Sequence, residues 1–280
     1  MTPMQRTDYH THTPLCHHAG GTPQAFVKQA LELGLTTYGI ADHAPMPPEQ
    51  EPFDDWRMLY AELPEYLGWV HQARDAAQGT ALSIISGLEC DWIPGIEPWI
   101  RELRQIHKWD YLIGSIHYLP GNGSVDDALY ANKCLTGSVE EDWRLYWESM
   151  TGLIRSGLFD IVGHMDLVKI WGRVPQGDLQ AYYAPALDAL QESRMAVEIN
   201  TAGWHKHCAE QYPSIPLLRQ LLERRIPIVI NSDAHYPEHL SRGWEQAIAL
   251  LQELTGNRLQ QFDLPAANNP DTILKAYGPL

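Results

Sequence analysis

The chain has 280 residues, 44% of them hydrophobic, and its 20 basic and 35 acidic side chains give a formal net charge of −15. That apolar share supports a sizeable core and excludes wholesale disorder. The acidic surplus repels polyphosphate chains and argues against a general nucleic-acid or anionic-membrane binder. Apolar runs are short, as in Ile226-Pro-Ile-Val-Ile230, so no membrane span is expected. Met1–Arg6 carries no apolar signal core. Cys16, Cys90, Cys134 and Cys208 stand far apart with no CxxC pair, which suits a reduced, cytoplasmic enzyme-sized domain.

In chain order, a short β-like run, a polar ending and a helical stretch recur. The first strand, Thr7–Thr13, carries Asp8-Tyr-His-Thr-His12. The helix predicted over Pro23–Leu35 has an apolar stripe of Phe26, Ala30, Leu31, Leu33 and Leu35. Thr22-Pro23 gives it an N-cap and first-turn proline, and Gly34 a stop. Strand Thr37–Ala41 runs into Asp42-His43, followed by a helix near Met58–Gln78. Strand Leu82–Leu88 ends at Glu89, before a helix at Glu97–Ile106. Strand Tyr111–Tyr118 contains His117, and Ser138-Val-Glu-Glu141 has the spacing of a capping box opening a helix through about Arg155. Strand Ile161–His164 precedes a helix at Leu179–Ser193, and strand Met195–Asn200 precedes one at Ser214–Arg224. The last strand, Ile226–Ser232, runs into Asp233-Ala-His235, with a helix at Trp244–Leu254.

Strands alternating with helices predict parallel strands joined by right-handed crossovers. Seven such units suggest a variant of the eightfold α/β barrel, with an open doubly wound sheet as the competing architecture. The polar residues favour the barrel, because its active site gathers at the C-terminal strand ends. No linker divides the chain, so residues 1–280 are expected to form a single domain.

Positions two apart on a strand share a face, so Asp8, His10 and His12 point the same way. Two neutral imidazoles there could bind one divalent cation, with Asp8 accepting a ring N–H behind them. Asp233-Ala-His235 repeats the geometry at the far end of the chain. Between them, His43, Glu89, His117 and His164 close other strands, with Asp42 beside His43. So many polar groups converging on one mouth would be costly to bury, and metal ions would offset that cost. His71, His107, His205, His207 and His239 lack the strand spacing and are left outside the set. His17 and His18 both lie within reach in the loop after the first strand. Cys16 and Cys90 are read as buried small hydrophobes.

These residues resemble the polymerase and histidinol phosphatase (PHP) superfamily. Asp8-Tyr-His-Thr-His12 is similar to its first motif, Ala41-Asp-His43 to its second and Asp233-Ala-His235 to its last, with His117 and His164 between. The runs His10-Thr-His-Thr-Pro-Leu-Cys-His-His18, Asp42-His-Ala-Pro-Met-Pro47, Gly87-Leu-Glu-Cys-Asp91, Gly163-His-Met-Asp-Leu-Val-Lys169 and Asn200-Thr-Ala-Gly203 resemble the stand-alone histidinol-phosphate phosphatase branch. The resemblance implies a distorted (β/α)7 barrel with three metal ions at the C-terminal strand ends. One ion would take His10, His12, Glu89 and Asp233. A second would share Glu89 and add His117 and His164, and a third would take His18, His43 and His235. His18 is chosen over His17 because that branch places its loop histidine one position later than the superfamily's acidic residue.

Such a set supports metal-assisted phosphomonoester hydrolysis by hydroxide near Glu89, with no side-chain nucleophile. Imidazole and carboxylate donors suit zinc, iron or manganese alike. Lys169, Arg173 and Arg57 are candidates to hold the phosphate, and Glu198 and Asn200 to meet the substrate or support the ligands. The resemblance implies L-histidinol phosphate, a small phosphorylated amino alcohol, as substrate in histidine biosynthesis. A nucleotide or nucleic-acid phosphoester and a non-catalytic metal scaffold are the alternatives.

Overall fold

The computed structural model describes residues 5–51, 53–121, 123–131 and 133–256. Among them are nine strands: β1 (Arg6–Asp8), β2 (Leu35–Ile40), β3 (Ser83–Asp91), β4 (Tyr111–Ser115), β5 (Tyr118–Leu119), β6 (Gly123–Ser124), β7 (Ile161–Val162), β8 (Ala196–Asn200) and β9 (Ile228–Asn231). The α-helices are α1 (Pro23–Glu32), α2 (Leu63–Ala76), α3 (Glu97–Ile106), α4 (Val139–Ser156), α5 (Gln180–Glu192), α6 (Ile215–Glu223) and α7 (Trp244–Thr255). Seven strands form one sheet in the order β1-β2-β3-β4-β7-β8-β9, while β5 and β6 make a separate antiparallel pair. Sequential order with parallel pairing is the (β/α)7 barrel class expected from the sequence, and not the strand reversal of a doubly wound sheet. Among the described residues, no helix is long and apolar enough to cross a membrane.

The chain divides into two compact units, neither continuous in sequence. Among the described residues, the first comprises 5–90, 107–113 and 230–256; the second comprises Asp91–Ile106 and Gly114–Val229. In the first, Thr22 caps α1 by accepting from the Ala25 N–H, with Pro23 in the opening turn. That orients Phe26, Val27 and Ala30 into the core, where Phe26 stacks on Tyr38 at 5.9 Å. Tyr111 fills the interior beside two glycines. A Cβ at Gly87 would lie 2.7 Å from its ring, and one at Gly39 would meet its hydroxyl. That hydroxyl donates to the Tyr9 carbonyl, directly before His10. In the second unit, Ser138 caps α4 by accepting from the Glu141 N–H. Trp143 and Trp147 of α4 meet Tyr182 and Tyr183 of α5 edge-on.

Strands β1, β4, β7, β8 and β9 are all shorter than their expected spans, and the breaks at β1 and β4 bear on the site. Regular pairing in β1 stops at Asp8, yet the chain through His12 stays laddered: Ala41 N–H donates to the Thr11 carbonyl and His12 N–H to the Ala234 carbonyl. The strand expected over Tyr111–Tyr118 breaks after Ser115, because Tyr118 turns to pair with Ser124. His117 therefore sits at the break between strands. All four cysteines are free thiols. The single-domain expectation includes residues 1–4 and 257–280, which lie outside the described residues.

Candidate metal centre

His10 and His12 are fully buried at the end of the first strand. His10 Nε2 lies 3.3 Å from Glu89 Oε2, and His12 Nε2 lies 3.0 Å from Asp233 Oδ1. Behind His12, Asp42 Oδ1 takes the ring Nδ1 at 3.2 Å. The same carboxylate accepts the backbone N–H groups of Thr13 at 3.1 Å and His43 at 2.8 Å, and is bonded by the Thr13 hydroxyl. Asp42 is thus the residue that fixes the His12 tautomer. Asp8, given that part in the sequence reading, instead accepts from the N–H groups of Ser232 and Ser241, from that of His10 and from the Ser232 hydroxyl. Burial pushes the Asp8 pKa up to about 6, against those hydrogen bonds. It joins the first strand to the segment at Ser232 and Ser241.

Glu89 is positioned by an extension of the β2–β3 pairing: its N–H donates to the Asp42 carbonyl, and its own carbonyl accepts from Ala44 N–H. That register places Glu89 Oε2 2.9 Å from His43 Nδ1. Donor atoms of His10, His12 and Glu89 all lie within 4.8 Å of one another, as do those of His18, His43 and His235. Cys16 forms a third such group with His12 and His235, although its buried thiol was read as a packing residue.

The loop after the first strand settles into a 3-10 turn at Pro14–Cys16, with His17 in the left-handed region at φ 65°. That turn separates the two neighbouring histidines. His17 Nδ1 donates to the Asp55 carbonyl at 3.1 Å, while His18 Nε2 lies 2.8 Å from His235 Nε2. The tautomers follow from the other ring nitrogens. His18 Nδ1 faces the Cys16 carbonyl at 2.7 Å and His235 Nδ1 the Asp233 carbonyl at 3.0 Å. A carbonyl only accepts, so each Nδ1 carries the proton and each Nε2 presents a lone pair. Two lone pairs facing at this separation repel unless a cation lies between them.

The electrostatics point the same way. Partial desolvation of its ring, then the charges of His43 and His12, push His18 down to about 4. Burial and His12 also push His235 well below its ordinary value. Burial opposes the His12 cation, but hydrogen bonds to Asp233 and Asp42 outweigh it and raise its pKa well above the usual value. Asp233 is held well below the carboxylate range by His10 and His12 despite its burial. Neutral His18 and His235 beside an ionised Asp233 are the donor state that a divalent ion requires, whereas an ion at His12 would have to displace its ring proton.

In the second unit, the His117 and His164 rings meet edge-on at 4.8 Å. Asp91 Oδ1 lies 2.7 Å from His117 Nδ1, so it does for His117 what Asp42 does for His12. Asp91 was not singled out in the sequence, although its spacing of two from Glu89 was a visible signal. Glu198 accepts the His164 backbone N–H at 2.8 Å and the Asn200 amide at 2.9 Å, so Glu198 holds the backbone at His164 and Asn200 holds Glu198.

The three basic candidates are differently placed. Lys169 is buried, with Nζ 2.7 Å from Glu210, 2.7 Å from the Gln211 carbonyl and 3.2 Å from Asp166. Arg57 is buried against Asp54. Arg173 lines a recess with Val125, Asp142 and Trp143 in the second unit.

The PHP domain family pattern matches residues 8–202. A Deinococcus radiodurans protein named "Probable histidinol-phosphatase" is 37% identical, covering 89% of this chain and 94% of its own. The Bacillus subtilis protein named "Histidinol-phosphatase" is 28% identical, covering 86% and 98%. In fold, the chain is similar to a Lactococcus lactis histidinol phosphate phosphatase whose crystal structure contains zinc, L-histidinol and phosphate. The TM-score is 0.73 at 23% identity, over 93% of this chain and 97% of that one.

Proposed function

The chain belongs to the PHP domain family, and from that premise we propose that it hydrolyses L-histidinol phosphate to L-histidinol and phosphate, a step of histidine biosynthesis. The observation that carries the reading is the pair of facing lone pairs on His18 and His235, in a chain 37% identical to a relative named for this activity. The proposed ligands are His10, His12, Glu89 and Asp233; His18, His43 and His235; and His117 with His164. Three divalent ions of zinc, iron or manganese suit these donors. Bound there, they would lower the pKa of water from about 15.7 to roughly 7 and offset charge on the phosphoryl oxygens.

The protein's own groups have defined parts in this reading. Asp42 and Asp91 keep Nδ1 of His12 and His117 protonated, which leaves each Nε2 lone pair for a cation. The Cys16 and Asp233 carbonyls do the same for His18 and His235. Arg57 and Lys169 already answer carboxylates, so the ions and not these cations would meet the phosphate. No serine or cysteine nucleophile is assigned. The substrate is a small phosphorylated amino alcohol and not a nucleic acid, the compartment is the cytoplasm, and residues 1–280 act as one catalytic domain.

The test is phosphate release by metal-replete protein from L-histidinol phosphate, a nucleoside monophosphate and an aryl phosphate. The expected result is a kcat/KM for L-histidinol phosphate well above the other two. Comparable slow rates on all three would keep a metallophosphatase and overturn the substrate.

A further inference from the structure

Phe53 and Trp56 leave 37% and 43% of their surfaces exposed, on a segment outside any regular element. The segment is nonetheless fastened. Arg57, only 4% exposed, binds Asp54 Oδ2 through Nε at 2.9 Å and Nη2 at 2.6 Å, and reaches the Ala44 carbonyl at 3.4 Å. Its guanidinium lies 5.4 Å over the Phe53 ring. Asp54 also accepts the Trp56 N–H at 2.8 Å, and the Asp55 carbonyl receives His17. A buried arginine and a left-handed histidine thus hold an exposed indole in place. Its ring centre is 6.1 Å from that of His18, at a tilt of 51°.

We infer that Trp56 is a specificity-determining residue that stacks on the imidazole of the substrate's amino-alcohol half. This rests on the L-histidinol phosphate reading above. Three carbons separate the ester oxygen of that substrate from its ring. A phosphoryl group held near His18 and His235 therefore brings the imidazole within reach of an indole one ring contact away. Stacking would remove apolar surface of Trp56 from water, and a protonated imidazole over an indole face gains further attraction. Arg57 acts through Trp56 as a positioning residue, since its hydrogen bonds to Asp54 fix the segment that carries the indole.

The test is calorimetric binding of L-histidinol, and separately of inorganic phosphate, to metal-replete wild type, Trp56→Ala and Trp56→Phe. The expected result is a Kd for L-histidinol about tenfold weaker in Trp56→Ala, roughly 1.4 kcal/mol. Trp56→Phe should recover most of that loss, and the ratio of L-histidinol to phosphate affinity should track ring size at position 56. Equal L-histidinol affinity in all three proteins overturns the inference, as does a parallel loss for both ligands. A wild type that neither binds L-histidinol nor hydrolyses its phosphate overturns the substrate reading itself, a result distinguishable from failure at Trp56 alone.

Discussion

The end of the first strand and the loop that follows it deliver histidines by opposite means. His10 and His12 are fully buried, on a backbone laddered to both neighbouring segments, and their direction follows from strand alternation. His17 and His18 are both exposed, and a single left-handed residue decides which of them faces His235. A non-glycine residue rarely adopts that conformation, so local propensity gives no warning of it. A donor fixed by a sheet is over-determined, whereas a donor fixed by one turn depends on a few hydrogen bonds.

That contrast can be broken first at Glu89, which lies within 3.3 Å of His10 and 2.9 Å of His43. Glu89→Gln is expected to lose at least one metal and most activity, beyond the roughly 10–100-fold typical of an outer-shell change. Full metal content with normal turnover, by elemental analysis and phosphate release, would sink the assignment. Next in size is Asp42→Asn, which leaves the side chain in place but can no longer hold the His12 proton in the same way. Metal affinity should fall by roughly 10–100-fold, read by competition with a chelator. The loop is then tested by a pair of variants: His18→Ala should weaken metal retention by about tenfold and His17→Ala by no more than about twofold. Equal effects would show that the turn does not discriminate between them. The smallest expected effect is at Tyr111→Phe, which removes the bond to the Tyr9 carbonyl and should cost about 1 kcal/mol of unfolding free energy in urea. Metal affinity should barely move there, because the laddered strand retains its other bonds.

How much was legible follows from the same physics. Strand alternation pointed to His10 and His12, and the repeated Asp-x-His spacing to Asp233 and His235, because periodicity is local. The seven-unit order and the caps of α1 and α4 were legible for the same reason. Partners distant in sequence were not. Asp91 meets His117 across 26 positions, and Lys169 finds Glu210 across 41. A lysine beside a motif histidine therefore read as a phosphate clamp, whereas the fold holds it among carboxylates. Asp8 and Asp42 were both noticed, but with the tautomer role on the wrong one, since strand parity says nothing about which neighbouring strand supplies a carboxylate.

Asp8 also bears on the order in which this protein can be completed during synthesis. Its buried carboxylate depends on hydrogen bonds from Ser232, 224 positions later, and from Ser241, 233 positions later. A nascent chain still lacking its last strand would have to bury that acid without those donors, at a cost of several kcal/mol, or leave the first strand unpaired. The first motif therefore waits in an unfinished state until nearly the whole described chain has left the ribosome. Fragments truncated before residue 232 should be poor traps for metal even though they contain His10, His12, His18, His43 and Glu89.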